Sequence, residues 1–481
     1  MKNLEQRLEN FGAEKIFITL FFLFGVIILF MRPPYRLMDE PVHFARAWQI
    51  SEGIFLSPLK TQTEQGADRN FGWKNCSPEA ATEKMYAASV PASLFPDEFL
   101  FELEEDSTLR KFSVDELKKF LSTPLNVDTR EEGLIPNTGV YPPPTYLPQA
   151  VAALLGRILN LNAGIIYYLM GLSGLIFVAA CVWWSMKFLP EAKPLIFLLA
   201  MLPMFLVEAA STSADAVTFG VCFLGTAWLL SLRNSTEKFS RAEIFGLIIL
   251  SVMLACAKSV YGTILLLYFL IPRERVGSLK KFLELGAAIL FLNLFVSLAW
   301  SWLAVGTTGV ELATLQQYNG AENIDVAAQK NFIIENPTAF FSTMIYTVYV
   351  GGIYFWFISM GTWGANGEFF LPILFYFAYS MVLIFFTLTN ELRLKFGERG
   401  VLIFAAAVSM LGFFFVHYLK WSPVGAEYVR GVQGRYFIPI APMILFTPAF
   451  LKPMHHKNLL AVMMGIFSGV VMLRENFLAF Y

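Results

Sequence analysis

Three polar residues at the end of an apolar segment offer acid–base chemistry. The stretch RPPYRLMDEPVHFARAWQISEG contains Asp39, Glu40 and His43 directly after an apolar run. A carboxylate in this place could take the proton of a hydroxyl group, with the histidine orienting it or binding phosphate. The structural alternative is that Asp39 only caps a helix that has Pro41 in its first turn and ends at Gly53. These residues alone leave both interpretations open.

Further ionisable and aromatic residues interrupt or border later apolar runs. Such groups are expensive within a bilayer and are functional hypotheses by default, although Lys258 and Arg435 could instead extend to lipid headgroups. Cations hold phosphate and a carboxylate activates an alcohol, so the set predicts a phosphorylated, hydroxyl-bearing substrate. The residues are Glu208 and Asp215 around the turn at 211–213, Lys258 and Tyr261 at the next turn, and Gln433, Arg435 and Tyr436 in GVQGRYFIP.

Composition identifies the broad class of protein. Hydrophobic residues make up 56% of the 481 residues and charged residues only 15%, with a mean hydropathy of +0.56. These values are typical of a polytopic membrane protein rather than a soluble domain. The formal net charge of -1 gives no reason to propose a nucleic-acid partner, and the four cysteines form no disulfide or zinc pattern. The motifs of zinc proteases, nucleotide hydrolases and serine hydrolases are absent from the sequence.

Apolar runs predict about eleven transmembrane helices, the first of them a retained span near the N-terminus. Arginine and lysine cluster between alternate runs, and the positive-inside rule places these clusters and the N-terminus in the cytoplasm. A further run at 340–358 contains Gly351 and Gly352 and would reverse every later basic loop if it crossed the membrane. We therefore predict that this run is re-entrant or interfacial. The eleven runs are 16–31, 164–188, 195–209, 214–232, 243–257, 260–271, 282–304, 370–390, 400–418, 436–451 and 458–473.

Two long polar segments are predicted to lie on the opposite, exoplasmic side. The first, residues 32–148, has proline-rich boundaries and patterns for juxtamembrane helices at 39–51 and 113–121. The second, residues 306–369, consists of polar loops at 306–339 and 359–369 on either side of the apolar run at 340–358. No internal repeat divides the chain, so residues 1–481 are predicted to form a single integral membrane unit with an exoplasmic cap.

Several motifs, in order along the chain, resemble a bacterial family of predicted membrane proteins, domain of unknown function 2142. The motifs are MDEPVHFARAWQISEG, YPPPTYLPQAVAALLGRIL, LPMFLVEAASTSADAVTFG, AKSVYG, MGTWGANGEFFLP and GVQGRYFIP, within about residues 38 to 445. That family is similar to the GT-C glycosyltransferases. The resemblance implies an all-α polytopic membrane protein, with a GT-C-like bundle of helices and a long first exoplasmic loop.

The resemblance also implies a polyprenyl-phosphate sugar donor and an acceptor that is a cell-envelope glycan or a lipid-linked molecule. In GT-C enzymes an acidic motif early in the first loop supplies the base or a metal contact, and Asp39 and Glu40 occupy that place here. We expect Asp39 to act as the base, with Glu40 or His43 shaping its surroundings. A DXD-type metal motif is absent, so a divalent metal stays possible and no cofactor is certain. The expected residues for substrate and lipid phosphate are Lys258, Tyr261, Arg435, Tyr436, Asp215 and Gln433.

Two other classes of function stay open on the sequence. A transporter or flippase for a lipid-linked saccharide would use similar charges, but nearer the bilayer midplane and often with repeats and broken helices. A non-catalytic protein of envelope-polysaccharide assembly is the third possibility. In each case we expect a multi-pass plasma (inner) membrane protein that contacts membrane lipids and has its site on the exoplasmic side.

Overall fold

The computed structural model describes residues 12–37, 39–60, 69–70, 85–96, 111–306, 324–363 and 369–481. The described part of the chain is mostly helical, as the long apolar runs predict. The α-helices are α1 (Ala13–Met31), α2 (Glu40–Ser51), α3 (Val114–Ser122), α4 (Leu147–Ile158), α5 (Ala163–Phe188), α6 (Lys193–Ala200), α7 (Pro203–Ala209), α8 (Ala214–Leu232), α9 (Arg241–Cys256), α10 (Leu279–Ser301), α11 (Val326–Glu335), α12 (Pro337–Met360), α13 (Ile373–Thr389), α14 (Phe396–Lys420), α15 (Ala441–Leu445) and α16 (Lys457–Phe480).

Seven helices of the described residues are long and apolar enough to cross a membrane, and an eighth span is possible if the bent pair α6–α7 counts as one. This supports an all-α polytopic membrane protein but not the predicted count of about eleven. The difference lies in short runs, because hydropathy does not show whether a run forms a full-length helix. The run at 260–271 forms a 3₁₀ helix, Ser259–Leu270, and the run at 436–451 is divided between a 3₁₀ helix, Gly434–Ile440, and α15.

The segment predicted to be re-entrant forms one unbroken helix. α12 contains 24 residues, from Pro337 to Met360, and passes through Gly351 and Gly352 without interruption. A re-entrant segment needs a turn within the membrane, so this alternative is wrong. The helix is long and apolar enough to cross a bilayer, and the interfacial alternative stays a prediction.

A small sheet covers α2 within the first polar segment. The strands are β1 (Leu59–Lys60), β2 (Arg69–Asn70), β3 (Met85–Pro91) and β4 (Arg130–Leu134), and their order is β1-β3-β4-β2. β3 is antiparallel to β1 and β4, whereas β2 is parallel to β4. Gln49 on α2 donates to the backbone oxygen of Ala87 on β3 at 3.0 Å, so the sheet and the helix form one body. A second, two-stranded sheet joins β5 (Thr362–Trp363) to β6 (Phe369–Phe370).

Ion pairs gather at the two ends of the helical bundle. α1 is about 28 Å long at 1.5 Å per residue, so Glu14 in its first turn and Arg32 after its last residue mark opposite ends. We call these the basic end and the site end. The basic end holds Lys187, Lys193, Arg233, Arg275 and Lys457, paired with Glu14, Glu398, Glu243 and Glu391. The site end holds Arg32, Asp39, Glu40, Glu208, Asp215, Lys258 and Arg435.

Candidate functional site

Asp39 lies at the first position of the site, between α1 and α2. Pro33 and Pro34 follow α1, and proline cannot continue a helix in that place. Asp39 precedes α2 as predicted, but its side chain makes no cap hydrogen bond. Its φ of 63° is left-handed, a conformation that aspartate adopts more readily than most residues but at some cost in strain. The carboxylate is thereby directed away from the helix, so capping does not explain this residue.

Arg435 binds three carboxylates at once. Its Nη2 lies 2.7 Å from Asp39 Oδ2, its Nη1 lies 2.8 Å from Glu208 Oε1, and its Nε lies 3.5 Å from Asp215 Oδ2. The Nε also donates to Gln433 Oε1 at 2.7 Å. The guanidinium is 5% exposed, whereas the Asp39 side chain is 21% exposed. Asp39 is therefore the carboxylate of this group that a substrate can reach.

Close packing fixes the backbone that carries Arg435. Gly434 lies against the end of α12, where a Cβ atom would be 2.4 Å from the backbone nitrogen of Ser359. Any other residue at position 434 would have to displace that backbone. The GVQGRYFIP motif therefore has a physical reason for its second glycine, which is to bring Arg435 into the bundle.

Lys258 is the second cation of the site. Its Nζ lies 2.8 Å from Asp215 Oδ1 and 4.3 Å from the centre of the Tyr436 ring. Tyr261 donates to the backbone oxygen of Tyr436 at 3.0 Å. This bond links the 3₁₀ helix Ser259–Leu270 to the segment that carries Arg435. Lys258 is 18% exposed. With Asp39, it gives the site one accessible carboxylate and one accessible ammonium group.

Glu40 faces a different partner from that of Asp39. Its carboxylate is completely buried and lies 2.9 Å from the guanidinium of Arg32. The backbone N–H of Thr212 also points to the same oxygen at 3.4 Å. This buried pair joins the end of α1 to the turn before α8. The structure thus separates two adjacent acids that the sequence could not distinguish, and it does not bring Glu40 to Arg435.

His43 is buried beside two tyrosines. Its Nδ1 lies 2.6 Å from the hydroxyl of Tyr146, and its ring centre lies 5.7 Å from that of Tyr141. Burial lowers the pKa of His43 to about 4, although the nearby carboxylates oppose this change. Burial also raises the pKa of both tyrosines. Burial therefore disfavours the cationic form of His43 near pH 7. The two expected roles of His43, binding phosphate and orienting Asp39, stay predictions.

The structure adds residues to the predicted set. Glu208 belonged to the ionisable set that the sequence singles out but not to the residues expected to bind substrate and lipid phosphate, and its contact with Arg435 places it in the site. Asn137 donates to Asp39 Oδ1 at 2.9 Å and lies in a polar loop that carries no recognisable motif. Tyr141 and Tyr146 flank the run of three prolines in YPPPTYLP, where aromatic residues gave no functional signal.

The charges of the site determine whether it could hold a metal ion. Asp39, Glu208 and Asp215 meet two cations, so one negative charge is in excess when all are ionised. The carboxylates are directed at Arg435 and Lys258. Among the residues that the structure describes, no group of three or more His, Cys, Asp or Glu side chains could hold a metal ion. The donor set of the described residues therefore does not fit the divalent metal that the sequence left open.

Comparison with known proteins gives a family for the chain. The family model described as "Predicted membrane protein (DUF2142)" matches residues 22–444. No curated protein and no solved structure matches the chain. The matched region contains α2, the turn before α8, Lys258 and Arg435, and thus every residue of the site described above. The chain belongs to the DUF2142 family of predicted membrane proteins.

Proposed function

We propose that the protein is a membrane glycosyltransferase that moves a sugar from a polyprenyl-phosphate donor to a cell-envelope glycan or lipid-linked acceptor. The observation that carries this proposal is the juxtaposition of a partly exposed carboxylate, Asp39, with the cations Arg435 and Lys258. A base beside cations suits a reaction in which a hydroxyl loses a proton and a phosphate leaves. The similarity of the family to GT-C glycosyltransferases supports the same reaction class.

The reaction is a displacement at the anomeric carbon of the donor sugar. Asp39 accepts the proton of the acceptor hydroxyl, and the acceptor oxygen forms a bond to the anomeric carbon. The bond between that carbon and the phosphate oxygen breaks, and its electron pair leaves with polyprenyl phosphate. The proton on Asp39 is later released to water or to the departing phosphate, so charge and atoms balance.

The two cations take different parts in this proposal. Every nitrogen of the Arg435 guanidinium already lies near an oxygen of the protein, and one of these oxygens belongs to Asp39. Arg435 therefore orients the base and contributes positive potential. Among the described residues, Lys258 meets a single carboxylate, that of Asp215, and has further N–H donors. We therefore propose that Lys258 is the main group that binds the leaving phosphate.

We place the site end on the exoplasmic side of the plasma membrane. The basic residues that sequence analysis assigned to the cytoplasm include Lys187, Lys193 and Arg233, and these lie together at the basic end. The positive-inside rule then directs the site end outward, toward lipid-linked sugars and envelope acceptors.

The test compares Asp39→Asn with Asp115→Asn in the native host. Asp115 lies in the same polar segment, on α3, and is 88% exposed. Each variant replaces the natural copy, and the sugars of the envelope glycan are released and quantified. Because the amide cannot accept the hydroxyl proton, Asp39→Asn should lower transfer ~100-fold or more, whereas Asp115→Asn should leave it unchanged.

One outcome of the same experiment would contradict the proposed reaction. Normal glycan in cells that carry well-folded Asp39→Asn protein would remove Asp39 as the base and the proposed reaction with it. Protein amount in the membrane and resistance to heat in detergent show whether the variant is folded.

A second candidate function is transport of a lipid-linked saccharide, and one observation favours it. α6 and α7 form a helix pair bent by 82°, and α7 carries Glu208, which binds Arg435. Broken helices that hold polar residues are typical of transporters. Protein reconstituted in vesicles with fluorescent polyprenyl-phosphate sugars would distinguish the two. Movement of the lipid between leaflets without sugar transfer would favour transport.

A further inference from the structure

Asn137 holds the second oxygen of the Asp39 carboxylate. Its amide nitrogen donates to Asp39 Oδ1 at 2.9 Å, while Arg435 Nη2 holds Oδ2 at 2.7 Å. Because an ionised carboxylate only accepts hydrogen bonds, the NH₂ group of the amide must face it. The two partners are 98 and 396 positions from Asp39 along the chain. The orientation of this carboxylate is therefore a product of the tertiary fold rather than of α2 alone.

The turn that carries Asn137 is itself fixed in place. The hydroxyl of Thr138 donates to the backbone oxygen of Val42 on α2 at 2.9 Å. A Cβ atom at Gly139 would lie 2.4 Å from the Cβ of Tyr86 on β3, so the backbone approaches the sheet closely. The turn is thus packed between the helix that follows Asp39 and the sheet that covers that helix. A donor on such a turn has little freedom to move away from its acceptor.

The oxygen of the same amide argues against a purely structural role. Asn137 Oδ1 is buried and accepts no hydrogen bond from the residues that the structure describes. A buried polar atom without a partner weakens a fold, so an apolar side chain would suit the packing better. The amide nitrogen of Asn137, which donates to Asp39, is therefore the atom that explains an asparagine at this position.

We propose that Asn137 is a positioning residue that, together with Arg435, directs the ionised Asp39 carboxylate at the acceptor hydroxyl. The inference rests on the proposed function, in which Asp39 is the base. Asn137 exchanges no proton and touches no reacting atom. Its hydrogen bond stabilises the charged form of Asp39 and holds one lone pair, and the exposed fifth of the side chain is left to accept the hydroxyl proton.

Other charged and titratable groups also lie around Asp39. They come from α2, from the turn after β4, and from the helices around Arg435. They are His43, Tyr141, Tyr146, Glu208, Asp215, Lys258, Arg435 and Tyr436. A change confined to position 137 leaves all of them in place, so a shift in the titration of Asp39 can be attributed to the amide.

Three substitutions separate the donor from the shape of the side chain. Asn137→Leu removes the donor, Asn137→Asp replaces it with a second carboxylate, and Asn137→Gln keeps an amide. Asn234→Asp is the matched control, because Asn234 is exposed and lies after α8 at the basic end. Each protein is purified in detergent, and its carboxyl groups are followed by infrared difference spectroscopy as the pH is lowered. The band that is absent from Asp39→Asn identifies Asp39.

The expected result is a change in the pH at which the Asp39 band is half-developed. In Asn137→Asp two carboxyl groups share one proton, so this pH should rise by about one unit or more. It should rise less in Asn137→Leu, less still in Asn137→Gln, and not at all in Asn234→Asp. Sugar transfer by membrane vesicles that contain their own lipid-linked sugars should fall roughly 10- to 100-fold in Asn137→Leu, and its acid limb should move with the band.

The infrared measurement does not depend on activity, so the two proposals fail in different ways. An unmoved Asp39 band in folded Asn137→Leu and Asn137→Asp would overturn the role of Asn137 whatever Asp39 does. A moved band together with full activity of Asp39→Asn would overturn the proposed reaction and, with it, the positioning of a base.

Discussion

The two ends of the bundle use ion pairs in opposite proportions. At the basic end one carboxylate, Glu14, lies 2.9 Å from Lys187 and 2.7 Å from Lys193. At the site end one guanidinium, that of Arg435, meets three carboxylates, and Lys258 adds only one more cation. One acid thus pairs with two cations at the basic end, whereas one cation pairs with three acids at the site end.

Lys187 at the basic end and Arg435 at the site end also differ in burial, although Arg233 and Arg275 at the basic end are about as buried as Arg435. Lys187 is 43% exposed, whereas Arg435 is only 5% exposed. Exposed pairs contribute little to stability because water and salt screen them, whereas a buried charge that loses its partner is strongly destabilising. The number of ion pairs at one end of the bundle therefore does not indicate how much those pairs contribute to stability. The basic end is suited to orient the chain in the membrane, and the site end is suited to hold reactive groups in a defined arrangement.

Replacement of Arg435 tests this contrast most severely. Arg435→Gln leaves Asp39, Glu208 and Asp215 without their shared cation, and removal of one partner from a buried network typically costs about 3–5 kcal/mol of stability. We expect the free energy of unfolding in detergent to fall by that amount. Arg435→Lys should recover part of the loss, because it restores the charge but not the three-way geometry of the guanidinium. Equal stability of Arg435→Gln and the natural protein would show that the cluster is not held by this residue.

The pH dependence of stability tests the environment of His43. The usual pKa of histidine is 6.5, and burial lowers that of His43 to about 4. Because the unfolded chain then binds a proton before the folded protein does, stability falls as the pH drops from about 6.5 to about 4. Above this window His43 is neutral in both states and has no effect. The loss from this one group is on the order of 3 kcal/mol.

A variant without a titratable group isolates this contribution. His43→Gln should remove most of the slope between these two pH values, even if it lowers stability at pH 7 through the lost contact with Tyr146. His455→Gln is the matched control, since His455 is exposed at the basic end, just before α16. Thermal unfolding in detergent across this pH range supplies the measurement. An unchanged slope in His43→Gln would show that the folded protein accepts a proton on His43.

Sequence reasoning predicted the class of fold and the grouping of distant residues better than their pairing. Spans such as α5, α8 and α10 follow from the length of their apolar runs. Lys258 and Arg435 were expected on one face because each borders an apolar run at the same side, and the structure brings both to Asp215. Periodicity and topology suffice for such statements.

Pairing depends on how helices rotate against one another, which a single sequence does not encode in a readable way. Asp39 and Glu40 are adjacent, yet the left-handed backbone at Asp39 directs them to Arg435 and Arg32 respectively. No local sequence motif pointed to Asn137, because its contact with Asp39 depends on a turn that Thr138 holds against α2. The re-entrant alternative for α12 was wrong for a related reason: it was inferred from charge in distant loops, and the local helix has no break.

The smallest expected effect belongs to the basic end and completes the comparison. Lys187→Gln removes an exposed ammonium, but Glu14 keeps Lys193 at 2.7 Å. Exposed pairs are worth about 0.2–1 kcal/mol, and the second lysine reduces the loss further, so thermal unfolding should hardly change. Lys193→Gln should cost slightly more, because Lys193 is 20% rather than 43% exposed. Both small effects should shrink as salt is added. A loss in Lys187→Gln as large as that in Arg435→Gln would mean that burial of the cation does not set the cost of removing it in these two networks.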